Sequence, residues 1–186
     1  MRALARSAGA SLSSTNYHYG TKEALLEAVL RRRAEPLNTL RLERLGRAEL
    51  AAGEGPVSLE AILEAFVMPL FEMRAGEVSA PRPAWVGARL FFDPSPIVSR
   101  MRVELFREVD ARFLDALART LAGQPRHEIE VAYRLTNGLF VHFAAGHVAG
   151  DLSGEAAATD AAAILERLIS YAGAGLRDLE KGARKA

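Results

Sequence analysis

Apolar side chains recur every three or four residues along most of this chain, and that spacing decides its fold class. A period of 3.6 gathers such residues on one face of a helix, whereas a half-buried strand alternates every two. The run Leu59, Ile62, Leu63, Phe66, Val67 and Leu70 keeps the helical period. Ala, Leu, Glu and Arg dominate, and these are strong helix formers. The Asn137-Gly138 pair lies inside a helical pattern rather than between two β-rich runs, so it signals no hairpin. The spacing predicts an all-α protein, and 186 residues suffice to bury a substantial core.

Caps and breakers divide that pattern into helices. A first short helix covers about 2–8 and stops at Gly9; a second covers about 12–19, with Ser11 as N-cap and Gly20 as its stop. Thr21 caps a long third helix, in which Ala24, Leu25, Ala28, Val29, Leu37 and Leu40 are expected to face inward and Pro36 to introduce a kink. The stretch Ala51-Ala52-Gly53-Glu54-Gly55-Pro56 reads as a linker, after which Ser58 caps the next helix. Pro81 and Pro83 mark a break, a short apolar helix is expected over 84–92, and Asp93-Pro94-Ser95-Pro96 ends it. Further helices are predicted over about 97–121, 127–148 and 156–181, separated by Gly123-Gln124-Pro125 and a loop at 150–154. Two domains are expected, 1–47 and 48–186.

The chain has no cysteine, so disulfides, thiolate nucleophiles and cysteine-based metal sites are excluded. No run of about 18 apolar residues predicts a membrane span, and the first residues lack the apolar stretch of a signal peptide. The expectation is a cytoplasmic protein with no membrane partner. A net charge of +1 conceals an asymmetry. Residues 1–47 hold nine basic side chains (Arg2, Arg6, Lys22, Arg31, Arg32, Arg33, Arg41, Arg44, Arg47) against four acids (Glu23, Glu27, Glu35, Glu43), and the remainder is mildly acidic. A basic end on an acidic body is the distribution expected when that end meets a polyanion, although solvated helix faces carry charge as well.

Two short helices across a Gly9 turn form a helix-turn-helix, and the second is slim enough for the major groove. Ser11, Ser13, Ser14, Thr15, Asn16, Tyr17 and His18 crowd hydrogen-bonding groups into less than three turns, with no acid to repel phosphate. Ser, Thr and Asn compete with helical backbone bonds, so this composition suits side chains engaged outside the helix. Lys22 follows in the first turn of the next helix, beside backbone amides suited to a phosphate.

The run Ala5-Arg6-Ser7-Ala8-Gly9-Ala10-Ser11-Leu12-Ser13-Ser14-Thr15-Asn16-Tyr17-His18-Tyr19-Gly20-Thr21-Lys22-Glu23-Ala24-Leu25-Leu26 resembles the DNA-binding signature of TetR-family repressors. The likeness covers about 25 residues; the rest agrees in helical pattern and length. It implies a double-stranded DNA partner, with Leu12 and Ser13 facing base edges and Leu12 set to touch a thymine methyl. By the same likeness Ser14, Tyr17, His18 and Lys22 contact phosphate backbone, and Asn16 is a candidate to read adenine. Family members carry one more helix ahead of the point where this chain starts, so the chain alone is expected to bind DNA poorly. The alternative reading is a helical small-molecule-binding module that no longer binds DNA.

For the body, the resemblance implies homodimerisation and sensing of a small, mostly apolar effector. The dimer candidates are the last two long helices, with Leu135, Leu139, Val141, His142 and Phe143 on one and Ile164, Leu165, Leu168, Ile169, Tyr171, Ala172 and Leu176 on the other. Phe66, Trp85, Arg89, Met101, Phe106, Asn137 and His142 are the candidate effector contacts, with Arg89, Asn137 and His142 as its polar orienters. Core packing is the competing explanation for each aromatic or methionine. No enzyme is expected: His142 and His147 stand five apart, off a common helix face, and the motifs of nucleophilic hydrolases and phosphate-binding loops are absent from the sequence. No cofactor is expected either.

Overall fold

The computed structural model describes residues 19–76, 94–144 and 161–182, which form five helices. These are α1 Lys22–Ala52, α2 Leu59–Gly76, α3 Pro96–Thr120, α4 Arg126–Ala144 and α5 Ala161–Gly182. Among the described residues there is no strand. The predicted short helices over 2–8, 12–19 and 84–92 lie outside them, apart from the last residue or so before Gly20.

Local chemistry sets the helix starts as the sequence predicts. The Ala24 amide donates to Thr21 Oγ1 at 3.1 Å, and the Ala61 amide donates to Ser58 Oγ at 3.2 Å. Each capping hydroxyl thereby satisfies an amide that has no partner within the helix. Gly20, at φ 63°, takes the left-handed conformation that turns the chain from the preceding segment into α1.

α1 runs unbroken to Ala52, through Pro36 and past residue 47. It is one 31-residue rod leading from the basic N-terminal segment into the body. Its inward stripe starts late. Ala24 and Val29 are exposed, contrary to the predicted inward face, while Ala34, Arg41 and Leu45 are buried where α1 meets α2 and α3.

The core joins all five helices. Leu45, Ile62, Val67, Val109, Phe113, Leu117, Leu121, Ile129, Phe140 and Leu176 are almost wholly enclosed. α5 approaches α2 closely at Gly173, where an added Cβ would stand 3.3 Å from Arg177 Nη2 and 3.6 Å from Leu63 Cδ1. Arg177 on α5 pairs with Glu60 on α2 beside this crossing. Leu165, Leu168, Ile169, Ala172 and Leu176 belong to this internal core rather than to a free surface. Their period of three and four reports burial but cannot say against which neighbour.

Candidate functional site

Phe66 organises the interior of the body. It comes from the middle of α2, three residues before Pro69. A proline inside a helix removes one backbone donor and crowds the preceding turn. Around the Phe66 ring stand Phe113 at 5.1 Å and Tyr133 at 5.7 Å between centroids, both edge-on, and Phe140 at 6.0 Å. Edge-on aromatic pairs place a positive ring rim against a negative face, which adds to the gain from burial.

These rings border a small cavity of about 10 Å³, walled also by Ile62, Leu63, Leu117, Thr136, Asn137 and Leu176. Such a space holds about one water molecule. The wall carries no charged side chain, and its most polar member, Asn137, is only 7% exposed. The space itself is bordered by apolar atoms, and the Asn137 amide is not among the buried side-chain groups that lack a hydrogen-bond partner.

Tyr133 is fixed from outside the cavity. Its hydroxyl donates to Asp110 Oδ1 at 2.8 Å, while Arg134 Nη1 donates to Asp110 Oδ2 at 2.7 Å. Burial, and then the nearby Asp110 charge, push the Tyr133 phenol far above its ordinary value, so it stays a neutral donor.

The unexpected member is Arg41, on α1. Its guanidinium lies over the Phe66 ring at 3.8 Å, and its Nε donates to the Phe66 carbonyl at 2.8 Å. The residue is only 4% exposed, and no ion pair is made to it among the described residues. Burial pulls its pKa well below the ordinary arginine value, to about 10, against the opposing pull of Tyr133 and Asp110. A buried cation without a close counter-ion is costly, and here one hydrogen bond and one aromatic face offset the loss of water. Three residues to either side, the same face of α1 carries two buried polar atoms with no hydrogen-bond partner, Asn38 Oδ1 and Arg44 Nε. Their other atoms are engaged: Asn38 Nδ2 donates to the Leu105 carbonyl on α3 at 2.7 Å, and Arg44 Nη2 to Glu72 on α2 at 2.5 Å. Near its end, α1 is clamped to α3 by Glu49, which receives Arg112 at 2.7 Å and Arg119 as well.

Of the effector contacts expected from sequence, Phe66 and Asn137 meet at the cavity. Met101 is buried on α3 and Phe106 half-buried, both away from that wall, and His142 is exposed on α4. Trp85 and Arg89 lie outside the described residues. So do Leu12, Ser13, Ser14, Asn16, Tyr17 and His18; Lys22 opens α1. Arg41 was counted in the sequence only as part of the basic segment. Its signal was its register, four residues after Leu37 and four before Leu45, which puts it in the apolar stripe.

A second surface lies on the paired helices α4 and α5. Val131, Leu135 and Tyr171 are 55, 71 and 73% exposed. Val131 and Leu135 are one turn apart, and their row continues toward half-buried Leu139 and exposed His142.

Among families of known proteins, the Tetracyclin repressor-like, C-terminal domain matches residues 64–175. That span takes in Phe66, Phe113, Tyr133, Asn137 and Phe140, together with the exposed row on α4 and α5. No curated protein matches the chain. The matched domain is a ligand-binding regulatory one, and domains of this kind typically dimerise and bind small-molecule effectors. Among the described residues no helix is long and apolar enough to cross a membrane. With more than half of its length matched and all of its described secondary structure helical, the chain belongs to the TetR family of regulators.

Proposed function

We propose that this protein is a ligand-responsive transcriptional repressor of the cytoplasm, a homodimer that holds a palindromic DNA operator and releases it when a small, mostly apolar effector enters the body. The observation that carries the reading is α1, a single helix joining the segment that bears the Ser-Ser-Thr-Asn-Tyr-His motif to the aromatic interior. Two such rods in a dimer would set the separation of two recognition helices, and successive major grooves lie about 34 Å apart. Leu12, Ser13 and Asn16 are assigned to bases, and Ser14, Tyr17, His18 and Lys22 to phosphates. The exposed apolar side chains Val131 and Leu135 on α4 and Tyr171 on α5 support a four-helix dimer seam built from these two helices of each protomer.

Phe66 and Asn137 are assigned to the effector, with Trp85, Arg89, Met101, Phe106 and His142 as further candidates. The cavity must open to admit more than one water, so the effector selects a conformation in which a ring has moved. The test is selection of bound sequences from randomised duplexes by the full-length gene product. Enrichment of a palindrome supports the reading. Enrichment of nothing, by protein that is folded and dimeric, favours a sensing module without a DNA partner.

A further inference from the structure

We propose that Arg41 is the positioning residue that transmits the state of the aromatic cavity to α1, through its double grip on Phe66. The inference rests on reading that cavity as the effector site, but it requires nothing of DNA or of a dimer.

Phe66 has two neighbours that matter. One side of its environment is the cavity, where it packs with Phe113, Tyr133 and Phe140. The other is Arg41, which holds both the ring and the backbone carbonyl of that one residue. An occupant larger than water must displace a wall ring, and if Phe66 moves, the Arg41 guanidinium loses its π face or follows it. A buried guanidinium that has no ion pair cannot be left over an empty place, so it follows.

The surrounding seam is built to give way. Asn38 Oδ1 and Arg44 Nε, three residues to either side of Arg41 on the same face, are buried without partners. The resting register is therefore not the one that satisfies every polar group, and a small shift of α1 exposes both atoms to new partners or to water. The seam is hinged beyond Arg44, where Glu49 ties α1 to Arg112 and Arg119.

Leverage follows from helix geometry. At 1.5 Å per residue Arg41 lies about 12 Å from the Glu49 clamp, and Glu23 lies about 39 Å from it. A displacement of about 1 Å at Arg41 thus becomes about 3 Å at Glu23, at the end that joins the DNA-binding segment.

The absence of cysteine makes the test direct. Spin labels are placed at Glu23→Cys and Glu166→Cys, both exposed positions, and the labelled chain is diluted with unlabelled protein so that distances within one chain are read. Benzene is offered to the parent cavity, which it can enter only by displacing a wall ring, and its binding is followed by the rise in Tm. Toluene is the second probe, for use where benzene does not bind. The expected result is a shift of about 3 Å in the label distance on adding benzene, lost when Arg41→Met is introduced although benzene still raises the Tm. Benzene binding with no change in distance overturns the transmission role and leaves the cavity reading intact. An equal shift with and without Arg41 also overturns it. Failure of both probes to bind overturns the proposal together with the cavity reading.

Discussion

Replacing Arg41 by methionine removes the guanidinium while keeping an unbranched chain in the same slot, and the sign of the effect follows from opposing contributions. The fall in pKa to about 10 on folding means that the charged form is disfavoured in the folded state. At 1.36 kcal/mol per unit, that penalty is on the order of 3 kcal/mol at neutral pH, and the substitution removes it. Against this, the Nε bond to the Phe66 carbonyl is lost, at about 1–3 kcal/mol including the stranded acceptor, with about 1–2 kcal/mol of cation–π attraction. A methionine sulfur beside the Phe66 ring restores roughly 0.5–1 kcal/mol. Arg41→Met is therefore expected to lie within about 2 kcal/mol of the parent, a change in Tm of no more than about 4–8 °C for a chain of this size. Arg41→Ala leaves a hole as well and should lose about 2 kcal/mol more. Urea denaturation followed by circular dichroism measures both, with unchanged m-values as the control. The folded protein binds fewer protons than the unfolded chain above about pH 10, so the parent should gain on Arg41→Met only as pH rises past that value. A loss above about 3 kcal/mol in Arg41→Met at neutral pH would refute the argument, because the guanidinium would then be a net stabiliser rather than a cost retained for another reason.

Other expectations concern separate parts of the molecule. Phe140→Ala, which removes an almost fully enclosed ring from the wall, should cost about 3–5 kcal/mol by the same denaturation assay, and a loss below about 1 kcal/mol would mean the ring is not packed as described. Leu135→Glu combined with Tyr171→Glu should turn a dimer into a monomer by light scattering, with the helical circular dichroism of the chain preserved; a dimer that persists places the seam elsewhere. Arg177 holds the Glu60 carboxyl below its ordinary value of 4.5, so the pair stabilises above that pH and fades as pH falls through the lowered folded value. The stability difference between the parent and Glu60→Gln should therefore shrink on acidification, and it should be small throughout because both partners are about half exposed.

Much of the scaffold was legible because its signals are local. Thr21 and Ser58 cap where a hydroxyl precedes an apolar helix, Gly20 turns where only a left-handed residue fits easily, and α3 and α4 begin within a residue of their predicted starts. Pro36 does not end its helix, which continues through it to Ala52. Partners were harder to read than periods. Leu165, Leu168, Ile169, Ala172 and Leu176 form an apolar stripe that suits either a dimer seam or an internal core, and only the position of α2 and α4 assigns it to the core. Leu135 and Tyr171 carry no sequence mark separating them from buried neighbours, yet they remain exposed. Within the site, Asn137 is one of the three polar orienters expected from sequence, and it lines the cavity. Arg41 was hidden by its company: one arginine among nine basic residues reads as surface charge until α2 is seen to cover it. Met101 and Phe106 share composition with the wall residues but sit at other places along α3.

Duplex affinity of the full-length gene product as a function of salt, measured by fluorescence anisotropy on an enriched sequence, bears most directly on the assignment of this protein to DNA. Tight binding that weakens steeply with salt, with a slope reduced by about one per protomer in Lys22→Ala and lower affinity on every duplex alike, is what a phosphate contact at the mouth of α1 requires. Binding that ignores salt, or a Lys22→Ala variant indistinguishable from the parent, would contradict it.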